Sequence, residues 1–549
     1  MQDIDESVAS AACQVRMSDG LACGRPGHGF MPHLGGVLCL CIMHSPNPDK
    51  NRENFWHEIR SILGGTSVYH PAKNRFDFTS FVFPETDFEK TLFEKPAVFQ
   101  GANFLADAAF RRAGFADTVD FGHTRFRSAA FFADAHFSQD AFFDGAEFEH
   151  GVDFTEAVFG DEIPPTSTGH ASFSYVTFGG EANFRKVTTC RWAYFQFAKF
   201  IQDAYFDEAN FTEGARFDGA SFAEGASFAR TVFGPLAESP TPPDVSVKEL
   251  RWEARSRLPG SWIVEGRSNV PVATKFPAIA DFRGTGFAQP RSVRFFQVNQ
   301  ASPQGLMAYL VNCELEGVRF EDVNWHHQQD RMVLADEVDI SMARRVRSQQ
   351  RALGIAGKEK EFDIRGYELV AIAYRQLVSN FERVRSYDWA EDCFIGAMEM
   401  KRLDPGQLWF SRVVVTLYKW ASYYGSSYTR ALGVLAGMLL ALALLFPLLG
   451  LRMTAGTQAE SVHSKTAAIC PEEAPISWCR AWQHPDRGRE LCGTLKAGAL
   501  AAAEAATFQR RLAVEPATTW GRALAVAEII VIPGQLALFF LALRRRFRR

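Results

Sequence analysis

Between Asp77 and Gly234 a phenylalanine returns every five or six residues, a period that no helix can use. The series runs Phe99, Phe104, Phe110, Phe115, Phe121, Phe126, Phe132, Phe137, Phe143, Phe148, Phe154 and Phe159. After a Pro-containing break (DEIPPTSTGH) it resumes at Phe173, Phe178 and Phe184 and slips once at Thr189. It then continues through Phe195, Phe200, Phe206, Phe211, Phe217, Phe222, Phe228 and Phe233. Two residues before nearly every one stands a small or β-branched residue, among them Ala97, Ala102, Ala108, Ala113, Val119, Thr124, Ala130 and Ala135. Residues i and i−2 of an extended segment point to the same side, so each unit is one short flat face with a large and a small inward side chain. Four such faces, each followed by a turn, close into a square coil, and coils stack about 4.8 Å apart with Phe over Phe and Ala over Ala. The irregular loops of an ordinary sandwich would destroy this phase. The 49 Phe, against 12 Tyr and 11 Trp, are thus one structural slot filled many times.

The form F-x-G-A-x-F, as in FDGAEF at 143–148 and FDGASF at 217–222, resembles the Phe-centred variety of the pentapeptide-repeat family. The resemblance implies a mainly β fold, a right-handed quadrilateral β-helix over 76–233. An insertion follows at 234–275, and further coils are expected over 276–325. There Phe276, Phe282 and Phe287 keep the rhythm loosely, while Leu310, Leu315, Phe320 and Trp325 keep it strictly behind Ala308, Cys313, Val318 and Val323. Roughly nine coils would make a rod of about 45 Å. Its ends need covers, because open β-edges recruit other chains.

The leader, residues 1–60, holds Cys13, Cys23, Cys41 and His44, with Cys39, His28 and His33 nearby. In Cys41-Ile-Met-His44 the two-residue gap lets both side chains reach one tetrahedral ion, and three Cys with one His make a normal structural zinc set. Cys39 is the alternative to Cys41, and the competing reading is a reduced, partly buried Cys cluster. A similar Cys, CGRP, C-x-x-H leader precedes the repeats in many bacterial pentapeptide-repeat proteins. No general base or open ligand position accompanies the set, so a catalytic zinc is not expected. The following HSPNPDKNRENFWHEI should enter a short amphipathic helix that ends before Gly64-Gly65 and can cap the first coil.

Over 337–404 the five-residue period gives way to a helical one. Leu369, Ile372, Ala373, Leu377 and Phe381 form one stripe, and Trp389, Cys393, Ala397 and Met400 another, with a turn at Ser386-Tyr387-Asp388 and a stop at Asp404-Pro405. The pair resembles a single tetratricopeptide-like hairpin, here a spacer or C-terminal cap. A juxtamembrane segment, 405–430, leads to Ala431–Leu451, 21 residues without a charge, and Ala523–Leu543 has the same length. Each is long enough to span the ~30 Å hydrocarbon core. Basic residues Lys401, Arg402, Arg412, Lys419 and Arg430 precede the first span, and the tail 544–549 is almost all Arg. By the positive-inside rule both flanks are cytoplasmic and the loop 452–522 is outside. The acidic start, MQDIDESVASAACQ, has no apolar run and agrees with a cytoplasmic N-terminus. Within the outer loop, Cys470, Cys479 and Cys492 meet oxidising conditions, where two can pair and the third is left over. A short Ala-rich helix at 495–508 between two spans is similar to the pore module of potassium channels, but no TVGYG-like filter follows it.

No GxSxG, phosphate-binding Gly-rich loop or paired-carboxylate motif occurs in the repeats, so an enzyme is not expected. The expected protein is a two-pass scaffold of the bacterial inner membrane that holds a rigid β-helix out to a cytoplasmic protein. The alternatives are a degenerate channel or mechanosensor, and an acidic mimic of DNA. Residues 76–233 carry 24 Asp and Glu against 12 Lys and Arg, which permits mimicry, but a membrane tether works against it. Nucleic acid is therefore not an expected partner. Gly433, Gly437 and Ala441 at four-residue spacing suit helix association and a homo-oligomer.

Overall fold

The computed structural model describes residues 12–33, 36–69, 74–161, 169–234, 279–302, 305–328, 331–352, 365–453, 476–506 and 514–547. The chain divides into two compact units, Met1–Met400 and Lys401–Arg549.

In the first unit, two-residue strands such as Ala97–Val98, Asn103–Phe104, Ala108–Ala109 and Gly114–Phe115 make the four faces of one coil. Each pairs in parallel with the strand one coil on: Ala97 with Val119, Phe104 with Phe126, Ala108 with Ala130, Phe115 with Phe137. The result is four parallel sheets, of nine, eight, eight and seven strands among the described residues. Inside, the rings stack face to face along each sheet, Phe104 on Phe126 at 4.9 Å and Phe126 on Phe148 at 4.5 Å. Rings of neighbouring faces meet edge to face, as Phe121 and Phe132 do at 5.5 Å and 81°. Each such contact adds about 0.5–1.5 kcal/mol beyond the area it buries.

The alternation of five and six residues has a backbone cause. Corners with five-residue spacing pass through one left-handed residue: Gly101, His123, Gly145, Tyr175, Phe197 and Gly219 line one such edge, and Lys90, Arg112, Asp134, Glu156, Lys186 and Glu208 another. The six-residue corners, as between Phe104 and Phe110, use an extra residue instead. At the slip, Thr189 takes the Phe slot between Phe159 and Phe211.

Beyond the insertion, Phe282 stacks on Phe217 at 5.0 Å and Phe287 on Phe222 at 5.4 Å. Residues 235–278, which hold nearly all of the expected insertion and Phe276, lie outside the described residues. Phe295, which the spacing does not reveal, fills the next slot, 4.6 Å from Phe228. A 3-10 turn, Pro290–Ser292, lengthens the corner before it and hides it from a count of five or six.

Helix α1 (Arg52–Leu63), capped by the Asn51 side chain, covers the first coil. Its Phe55 packs on Phe83 at 5.5 Å and its Trp56 on Phe88 at 5.4 Å. At the other end come α2 (Ala335–Ala352), α3 (Arg365–Arg383) and α4 (Tyr387–Leu403). Asn380 of α3 closes the last coil, accepting from the Gly317 N–H at 3.0 Å and donating to the Leu315 carbonyl at 2.5 Å. Phe381 beside it meets Phe320 and Trp325.

The second unit holds α5 (Trp409–Ser422), α6 (Tyr428–Leu449), α7 (Trp478–Gln483), α8 (Arg487–Ala506) and α9 (Thr519–Phe547). Helices α6 and α9 are long and apolar enough to cross a membrane. The expected helix at 495–508 thus starts earlier, at Arg487. Its Gly498 reaches the Ala443 carbonyl, to which Pro447 has no N–H to donate, so closely that a Cβ there would stand 2.1 Å from the oxygen. The Trp478 indole donates to the neighbouring Leu444 carbonyl at 2.8 Å. Gly433, Gly437 and Ala441 are exposed on α6. Cys492 is an exposed free thiol on α8 and Cys479 lies in α7, whereas Cys470 lies outside the described residues.

Candidate metal centre

Three local turns bring the leader's ligands together. Gly20 and Gly24, both left-handed, fold the chain so that Cys13 and Cys23 lie on adjacent strands: Cys13 N–H donates to the Arg25 carbonyl at 2.7 Å and Cys23 N–H to Val15 at 2.8 Å. A hairpin of β1 (Gly29–His33) and β2 (Gly36–Leu40) then delivers Cys41. The Cys41 carbonyl accepts from the His44 and Ser45 N–H groups, a turn that puts Cys41 and His44 on one side.

The Cys13, Cys23 and Cys41 sulfurs and a His44 nitrogen lie within 4.8 Å of one another, and all four residues are buried. Cys23 Sγ is 3.8 Å from Cys41 Sγ, and His44 Nδ1 is 3.3 and 3.1 Å from Cys13 and Cys41. Bonds of about 2.3 Å to sulfur and 2.0 Å to nitrogen give a tetrahedron with edges of about 3.8 and 3.5 Å, so the donor set fits zinc after a small outward shift of the ring. His44 Nε2 donates to the Thr79 carbonyl at 3.1 Å, an assignment that leaves Nδ1 as the free electron pair facing the sulfurs.

Charge is arranged to suit. Bonds from Cys13 and Cys41 hold the Cys23 thiol far below its ordinary range, and the Arg25 guanidinium donates to its sulfur at 3.2 Å. Bonds to Cys13 and Cys23, with burial, push the Cys41 thiol well above its ordinary range. Burial alone would lower the His44 imidazole, but its sulfur bonds and the nearby thiolate charge raise it to about 9. Cys39 and His28 stand outside the set of donor atoms that the fold brings together. Were all four to bind one ion, no ligand position would remain open for chemistry.

The knuckle is fastened to the first coil. Lys50, itself buried, donates to the carbonyls of Ile42 at 2.8 Å, Ser45 at 3.1 Å and Val82 of the β-helix. Val82 N–H returns a bond to Met43 at 2.7 Å, and Ser18 donates to Asp77 through its N–H at 3.1 Å and its hydroxyl at 2.5 Å.

On the outside of the rod, cations and carboxylates one coil apart pair up: Arg125 with Glu147 and Arg127 with Glu149, both at 3.2 Å, and Arg191 with Glu213 at 2.6 Å. One edge differs. Tyr175 and Phe197, 64% and 47% exposed, stack at 5.0 Å in left-handed positions between Gly145 and Gly219. A Cβ at Gly219 would come within 2.5 Å of the Phe197 ring, so the glycine leaves the aromatic face room. The left-handed backbone is shared by the other five-residue corners, so it is the exposed aromatic surface that sets this pair apart.

Residues 188–232 match the family model described as pentapeptide repeats (9 copies). No curated protein matches the chain, and no solved structure does.

Proposed function

Because the chain carries a pentapeptide-repeat β-helix, we propose that it works as a membrane-anchored scaffold that presents the outer faces of this rod to a cytoplasmic protein. One observation carries the reading: among the described residues the interior is closed by stacked Phe and other buried side chains, so only outward side chains, held at coil spacing, can meet a partner. The exposed Tyr175–Phe197 pair is the surface we assign to that contact, since aromatic residues supply most of the energy in protein interfaces. A structural zinc on Cys13, Cys23, Cys41 and His44 closes the N-terminal end of the rod and protects its edge from other chains. Helices α6 and α9, with Arg544, Arg545 and Arg546 at the end of α9, support anchoring in a bilayer with that basic end in the cytoplasm.

The test is photo-crosslinking of the full-length protein in native membranes, from a probe amino acid at Phe197 and, as a control, at Glu208 on a different edge. One defined adduct from Phe197 that Glu208 does not give is the expected result. Equal labelling from both positions, or none from either, would overturn the reading.

A further inference from the structure

We infer that α5 lies in the membrane interface as an amphipathic helix, its apolar face in the headgroup–acyl boundary of the cytoplasmic leaflet; this rests on the anchoring proposed above. The helix divides its circumference three ways. At about 100° per residue, Trp409, Trp420, Val413, Leu417, Phe410 and Val414 fall within an arc of about 140°. All six are exposed, Trp409 and Trp420 at 75% and 64%. Val415 and Ser422, on a second sector, are the buried contacts. Arg412, Thr416 and Lys419 fill the third.

The connection fixes the depth at which this face sits. After α5 the chain reverses through three left-handed residues, Tyr423, Tyr424 and Gly425, and enters α6. A Cβ at Gly425 would lie 2.8 Å from Leu541 of α9, so the turn is pressed onto that helix. Arg545, in the basic end of α9, donates to the Tyr424 carbonyl at 3.1 Å, and Gln535 donates to Ala421 and Ala431 at 3.0 and 2.9 Å. The turn is therefore held at the basic end of α9 and the end of α5 between that level and Gln535, within about 15 Å of helix from Arg545, on the cytoplasmic side of the span where an interfacial helix buries its apolar face. Across the turn the chain goes on to further exposed apolar residues on α6, among them Leu432 and Leu440. Two Trp with cations on the adjoining sector are the composition that seats at a headgroup boundary, and Arg412 and Lys419 suit an anionic leaflet. A lipid surface accounts for continuity, aromatics and charge together, whereas a protein partner would need none of the three.

Full-length protein in phosphatidylethanolamine–phosphatidylglycerol vesicles, carrying one genetically encoded environment-sensitive fluorophore, distinguishes the cases. At Val413 a nitroxide on the lipid headgroup should quench emission several-fold more than at Thr416, while iodide does the reverse. A probe at Leu440 reports the span and should answer only to nitroxide on the acyl chain. If Leu440 behaves so but iodide quenches Val413 and Thr416 alike, α5 is in water and the inference fails while anchoring stands. Val413 shielded from both quenchers means a protein covers it, a second copy included, and also overturns the inference. Iodide reaching Leu440 sinks the anchoring and the inference with it.

Discussion

Thr189 is the one place where the Phe series is interrupted within an unbroken sheet, and its hydroxyl is buried with no hydrogen-bond partner among the described residues. Other buried threonines in the rod are satisfied: Thr124 donates to the Phe99 carbonyl and Thr231 to Phe206, both at 2.8 Å. Thr189→Val should therefore stabilise the rod by about 1 kcal/mol, because it removes an unpaid desolvation and keeps the shape. Thr124→Val should lose a comparable amount. Thermal melting of residues 12–400 in parallel checks both, and the same sign for the two would refute this account. The same melts test the slots. Phe148→Ala should cost about 3–5 kcal/mol and Phe148→Asp more, whereas Glu147→Lys breaks only an exposed pair with Arg125 and should change little. At this scale the sequence is easy to read, since a filled slot repeats a residue type at a fixed distance. Phe295 is not, because the turn before it changes the distance and leaves the residue type alone.

The capping elements turn on polar groups that only the fold brings together. Removing zinc, by chelation or by His44→Ala, should lower the melting temperature of the 12–400 unit and expose the first coil, while Cys39→Ser leaves metal content at one equivalent. Elemental analysis without zinc after metal-replete purification would remove the centre from the account. At the other cap, Asp336 accepts from the Leu310 N–H at 2.7 Å, and burial raises its carboxyl to about 7, against the pull of that bond and of Arg283. Asp281 and Asp339 nearby push the same way as burial. A folded pKa above the unfolded value of about 3.9 means that the folded state binds the proton more tightly between those two pH values. The cap should thus gain stability as pH falls from 8 towards 5, on the order of 2–3 kcal/mol, and Asp336→Asn should flatten the dependence and stabilise at pH 8. A melting profile that rises with pH would refute it. Helices α1, α3 and α4 were legible as apolar stripes with caps; α2 was merged with them, because its sequence, ADEVDISMARRVRSQQRA, carries its information in buried carboxylates that have no period. Likewise the ligand choice between Cys41 and Cys39 depended on which residue the β2 strand ends behind.

For the whole molecule, composition marks two apolar helices, but which side each end faces rests on flanking charge alone. The partner is not legible at all, since an outward side chain can vary without disturbing the stacked core, and among the described residues the Tyr175–Phe197 pair stands out by its stacked, exposed rings and not by its backbone. Topology is the claim that can be decided directly. If the basic ends of the two helices face the cytoplasm, α8 lies outside and its exposed Cys492 should react with an impermeant maleimide in intact spheroplasts. A Cys placed at Leu21, an exposed position in the leader, should react only after the membrane is opened. The reverse pattern would invert the protein and put the zinc ligands in an oxidising space, where thiols tend to pair rather than hold metal. The same preparation bears on conduction. Gly498 of α8 packs against Ala443 of α6 with no room for a side chain, and among the described residues no TVGYG-like run follows α8. Reconstituted protein should therefore carry no potassium-selective current in planar bilayers, and a selective current would require carbonyl ligands from a segment other than these.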